Sequence, residues 1–241
     1  MSQFRHYAWF TLAIVCGLQI VSAGMRLAFG AFVDPLETAF NWSQGSIGLA
    51  YSLQFITAAL FSPVAGWLGD IYGTRRTVFA ATAMFTIGLA LTGTLTELWQ
   101  FYLYYGIILG TSLSVFSICL VTTVTDWFRA RQGLAIGMTM GSIAVGPAIV
   151  APVVSSIIAT MGWKSAMLTL AIGSGVIMFA LATQFHSKPA DKGMKPYGAR
   201  EEDLVAAKSN LAIDKARALA FIKRARSTFD FWNLTNIHFL G

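Results

Sequence analysis

The sequence predicts an all-α integral membrane protein, a bundle of six spanning helices. Three observations predict it: six long apolar runs, charge that is sparse within them, and Lys and Arg that alternate between the loops. Of the 241 residues, 56% are hydrophobic and 12% charged, where a soluble domain carries about a quarter of its residues charged. More than half of the charges lie after Phe185. A spanning helix needs about 20 apolar residues to cross roughly 30 Å of hydrocarbon. A soluble helix of that length shows a polar face at helical period, and these runs do not.

The elements follow in order. The first run, 9–33, is too long for a signal-peptide core, and no small-residue cleavage site follows it. The others are 45–69, 77–95, 98–124, 133–161 and 165–185. Arg5 precedes the first run, Arg75 and Arg76 follow the second, and Arg129 and Arg131 follow the fourth. After the sixth, residues 188–226 carry many charges of both signs. The alternate loops hold Asp34 and Glu37, then Glu97, then Lys164 alone. Basic loops stay on the cytoplasmic side, so the N-terminus is expected inside, in a plasma or bacterial inner membrane. Those loops account for the net charge of +6; membrane lipid is the expected partner and nucleic acid is not. Cys16 and Cys119 both fall within apolar runs and read as packing residues, not as a disulfide or a metal pair.

Three regions result: a six-helix bundle over 1–185, a cytoplasmic linker over 186–228, and an apolar start over 229–241. In the linker Pro189, Gly193, Pro196 and Gly198 mark loop. Beyond them Leu204, Leu211, Leu219 and Ile222 suggest an amphipathic helix ending in Lys223, Arg224 and Arg226. That end either rests on anionic headgroups or is solvated. Residues 229–241 are too few to span. They read as the beginning of an incomplete seventh helix, in a truncated or split chain; a natural six-helix protein is the alternative.

Between the second and third runs stand Gly66, Gly69, Asp70, Gly73, Arg75 and Arg76. The glycines permit close helix approach and a tight turn, and the arginines fix the turn inside. This stretch resembles the signature loop of the major facilitator superfamily, Gly-x-Leu-x-Asp-Arg-x-Gly-Arg-Arg/Lys, with Ile71 where the family has a basic residue. The resemblance implies a conformational latch between two halves and a bundle of 3+3 inverted repeats. It also implies a partner: a missing C-terminal six-helix half, or a second subunit. At the fifth run Trp127, Phe128, Arg129, Arg131, Gly137, Gly141, Gly146, Pro147 and Pro152 resemble the helix-five signature of monocarboxylate porters and oxalate/formate exchangers. Small residues at this spacing allow helices to slide, and the prolines allow bending.

Arg26 is the basic residue inside an apolar run, about seven residues, or about 10 Å, from its outer end. Gln19, Ser22 and Arg26 share one helical face, as the wall of a wet cavity would. An Arg there faces an anion, or it snorkels to the headgroups. The first helix of the resembled exchangers contributes to their substrate site, which favours an organic anion held by the guanidinium fork. Gln54, Thr57, Tyr104, Thr111, Ser114 and Ser142 are further polar candidates, each open to a plain helix–helix hydrogen bond. No carboxylate lies deep in a run: Asp34, Asp70 and Asp126 sit at ends. A proton carrier would therefore lie elsewhere; His238 is one titratable candidate. No catalytic, metal or cofactor motif stands out. The expected function is secondary transport of small organic anions such as monocarboxylates. The alternatives are a non-transporting fragment, a half-size subunit, or a membrane sensor on a transporter fold.

Overall fold

The computed structural model describes residues 2–199 of the chain. The expected amphipathic helix, the expected start of a seventh helix and His238 lie outside the described residues. Among the described residues the elements are α1 (Ser2–Leu27), α2 (Gly30–Phe40), α3 (Gln44–Tyr72), α4 (Thr74–Thr92), α5 (Leu98–Phe101), α6 (Leu109–Trp127) and α7 (Gln132–Gln184). A π-helical turn, Tyr102–Ile108, joins α5 to α6 without a break, and a short 3-10 turn, Pro189–Lys192, follows α7.

The first helix is longer than expected. It runs on as α2 to Phe40, after a tight turn in which Phe29 N–H donates to Arg26 O at 3.3 Å. Phe32 and Leu36, one helical turn apart, are both buried, and they carry the helix past Asp34 and Glu37. Those two acids therefore lie on a helix, not in the loop expected for them. The loop itself is short, and Asn41 closes α2 in the left-handed conformation, φ 56°. Ser43 then caps α3, accepting from Ser46 N–H at 3.2 Å.

Among the described residues, four stretches are long and apolar enough to cross a membrane: Tyr7–Phe40, Gln44–Tyr72, Leu98–Trp127 and Gln132–Gln184. At 53 residues α7 would extend about 80 Å, too far for one crossing. Gly162 breaks it with φ 75° and ψ 165°, in the gap expected between the fifth and sixth runs. Cys16 faces Thr139 and Ser142 on one side of that break. On the other, Trp163 meets Phe40 and His186 meets Tyr7, so the second part of α7 runs back alongside α1. The expected third span, α4, begins three residues early and takes Arg75 and Arg76 into its first turn. Length and composition alone do not carry it across; its place in the bundle comes from packing.

Glycines set the helix contacts. A Cβ on Gly146 would stand 2.5 Å from Ile20 O and 2.8 Å from Gly24 N, so α1 and the first part of α7 touch backbone to backbone. A Cβ on Gly110 would meet Gln54 O at 2.7 Å, which brings α6 equally close to α3. Taking α1 with α2, α3 and α4 as the first three rods, and α5 with α6 and the two parts of α7 as the last three, exchange of the two sets maps one contact onto the other, as an inverted repeat requires. Gly175 against Thr86 joins the sixth rod to α4.

The loops sort to two ends. At one end His186 O accepts from Trp127 Nε1 at 3.0 Å, and Tyr197 exchanges backbone bonds with Trp127 and Arg129. Lys192 lies 4.1 Å over the Tyr7 ring there. Arg75 N–H donates to Ser187 Oγ, and its guanidinium to Thr183 O, both at 2.7 Å. The loops expected to share a side thus meet, strapped by residues 186–197. At the other end Phe40, Trp42, Phe101 and Trp163 form an aromatic cluster.

Candidate functional site

Arg26 stands in the last turn of α1, just before the tight turn. With the helix continuing to Phe40, it lies fourteen residues, about 21 Å of rise, from that end, and about 29 Å from Tyr7. This is the middle of the span, deeper than the sequence alone suggested. The side chain is half-buried, and its Nε is buried without a hydrogen-bond partner among the described residues. Among the described residues no carboxylate pairs with it. Its guanidinium carbon lies 5.2 Å from the centre of the Phe55 ring on α3.

The turn at Arg26 is held from two sides. Its carbonyl accepts from Phe29 N–H and from Tyr105 Oη at 3.4 Å. Phe29 stacks on Tyr51 at 5.0 Å, and Tyr51 meets Phe55 edge-on at 5.1 Å. Tyr105 belongs to the π turn. Leu109 N–H reaches back five residues to Tyr104 O, and a return to α spacing leaves one carbonyl without an in-helix donor. Gln54 Nε2 donates to Tyr105 O at 3.4 Å. Gly106 and Gly110 allow this approach of α3 to the turn.

Of the residues singled out in the sequence, the structure gathers Arg26 and Gln54, with buried Gln19 and Ser22 below on α1. Ser22 Oγ spends its proton on Gln19 O at 3.3 Å. Buried Thr57 packs on Gly110. Ser142 is not part of the cluster: it donates to Thr139 O at 2.6 Å and faces Cys16, ten residues below Arg26. Thr111 and Ser114 donate to carbonyls of their own helix. Tyr104 is half-buried, and its neighbour Tyr105 is the tyrosine that meets Arg26. The π turn inserts an extra residue, so α-helical periodicity points to the wrong one. Phe55 was missed because an exposed aromatic in an apolar run looks like lipid-facing surface.

The loop after α3 has the expected turn: Gly73 adopts φ 84°. A Cβ on Gly69 would touch Cys119 Sγ at 3.2 Å, whereas Gly66 has more room. Asp70, Arg75 and Arg76 are exposed, and among the described residues Asp70 forms no ion pair. Arg75 stands at the N-terminus of its own helix, the unfavourable end for a cation, but at the C-terminus of α7, the favourable one. Before the fifth rod Arg129 and Arg131 are exposed, and Arg131 takes the left-handed conformation, φ 57°. Gly146 is buried against Gly24, and Pro147 is half-buried. Gly137, Gly141 and Pro152 are exposed, and neither glycine would bring a Cβ within 4 Å of anything.

Comparison with known proteins yields consistent matches. The family pattern of the Major Facilitator Superfamily fits residues 15–240. MFS-type transporter hasB of Aspergillus fumigatus is 30% identical over 71% of this chain and 39% of its own length. Monocarboxylate transporter 11 of mouse is 22% identical over 90% of this chain and 46% of its own. The proton:xylose symporter XylE bound to 6-bromo-6-deoxy-D-glucose has the same fold, with a TM-score of 0.64 at 16% identity over 74% of this chain and 45% of that one. The chain spans less than half the length of these relatives.

Proposed function

The chain belongs to the major facilitator superfamily, and on that premise we propose that it serves as the N-terminal half of a secondary transporter of small organic anions such as monocarboxylates. The carrying observation is Arg26: a cation at mid-span, half-buried, with a buried Nε that finds no hydrogen-bond partner among the described residues. An isolated charge there costs about 2.5 kcal/mol or more on insertion scales, and a ligand carboxylate offsets that cost. The site carries one positive charge and, among the described residues, no acid. A single carboxylate neutralises it, whereas a second would bring a negative charge with no cation to pair with. The relative named as a monocarboxylate transporter supports the same class.

Alternating access requires a second half. The first part of α7 and most of α3 bury little of their surface within the described bundle. Leu60, Trp67, Ile149 and Val153 are among the exposed apolar residues. Another six-helix half, or a second copy of this chain, would cover that face. Asp70, Arg75 and Arg76 would latch the halves together on the cytoplasmic side, with the N-terminus inside the cell. Gly137 and Gly141 leave the helix-five surface flat for sliding, and Pro147 and Pro152 let it bend. Function as a transporter, not as an enzyme, is the reading this arrangement supports.

The test is uptake of labelled lactate into vesicles, by the chain alone and by the chain co-expressed with a second six-helix half. Carboxylate-specific uptake that Arg26→Ala reduces by at least tenfold is expected from whichever form transports. Unchanged uptake by Arg26→Ala would end the assignment.

A further inference from the structure

We infer that Phe55 is a positioning residue for anion binding: its ring takes the place that a carboxylate usually takes beside an arginine away from bulk water. This rests on the reading of Arg26 as the anion site. A guanidinium at mid-span needs something to hold it, or it swings toward the headgroups. Among the described residues no acid reaches Arg26, while its Cζ lies 5.2 Å from the Phe55 ring centre. An aromatic face attracts a cation without neutralising it. The guanidinium carbon stands over the ring, and a phenyl ring carries no oxygen or nitrogen acceptor to occupy the five N–H donors of the fork. Held this way, the fork keeps both its charge and its donors for a ligand. A carboxylate neighbour would have consumed them.

The ring is itself fixed. Tyr51 meets it edge-on at 5.1 Å, interplanar angle 79°, and Tyr51 is stacked on Phe29. Phe29 N–H donates to Arg26 O, which closes a circuit of contacts from the arginine backbone back to its side chain. Phe55 remains 45% exposed and Arg26 is half-buried, so this circuit borders open surface from which a ligand can arrive. The circuit also ties the arginine to the turn between α1 and α2, so the pose of the charge follows the geometry of that turn.

The experiment varies the electron density of the ring and leaves its shape nearly unchanged. Phenylalanine 55 is replaced by mono-, di- and trifluorinated phenylalanine in the full chain, with arginine labelled by nitrogen-15. Acetate, the smallest carboxylate headgroup, is titrated while the Arg26 Nε–H resonance is followed, assigned by its loss in Arg26→Lys. The expected result is an acetate dissociation constant that rises stepwise with fluorination, about three- to tenfold over the series. If acetate moves the resonance equally in all the rings, or binds more tightly as fluorine is added, the inference about Phe55 is overturned and the anion site stands. If acetate never moves the resonance, the anion site fails and the inference falls with it.

Discussion

At the scale of single residues, Arg26 differs from Arg75, Arg129 and Arg131 in its surroundings. Arg75 finds the carbonyls at the end of α7, and Arg129 and Arg131 are exposed at the strapped end. Arg26 has a ring beneath it and, among the described residues, no hydrogen-bond partner for Nε. Its planar fork suits a carboxylate better than a point charge does. Arg26→Lys keeps the charge and loses the paired donors, so lactate uptake should persist with KM raised about tenfold, equivalent to about 1.4 kcal/mol. Initial-rate kinetics in vesicles measure this; an unchanged KM would mean that charge alone matters there. Arg26 was legible in the sequence because it interrupts an apolar run. Tyr105 and Phe55 were not, since one depends on the helix register and the other on which neighbour lies across from it.

At the scale of elements, close backbone approach does the positioning, and the glycine positions are unequal. Gly146 lies against Ile20 and Gly24 main-chain atoms that cannot turn aside, whereas Gly141, on the same helix, faces open space. Gly146→Val should destabilise the bundle by about 1–3 kcal/mol, read as a lower unfolding temperature in detergent. Gly141→Val should leave that temperature unchanged. Equal effects would mean that the α1–α7 contact is not what holds these helices. The helix-five pattern in the sequence grouped both glycines, because spacing identifies a helix face but not its partner. The long apolar runs were likewise legible as helices. The extension of the first helix to Phe40 was not, because Asp34 and Glu37 look like loop until Phe32 and Leu36 are seen buried beneath them. The π turn was hidden for a similar reason: it depends on what α3 supplies to the turn, through Gln54.

At the scale of the whole molecule, loop charge had assigned the connections to two sides, and the fold gathers them at two ends. One end is strapped by residues 186–197, and the other is closed by aromatic rings. Between them the surface of α3 that carries Phe55 is uncovered. It faces either water in a central cavity or lipid, and only the first is compatible with anion transport. Ser52, one helical turn from Phe55 and exposed, reports which. The most direct measurement is the reaction of Ser52→Cys with a membrane-impermeant thiol reagent in vesicles, with and without lactate, against the parent protein carrying only Cys16 and Cys119. A water-lined, anion-binding cavity predicts labelling above that background, slowed by lactate. Labelling by lipid-soluble reagents alone, indifferent to lactate, would put this face in the bilayer and contradict the account.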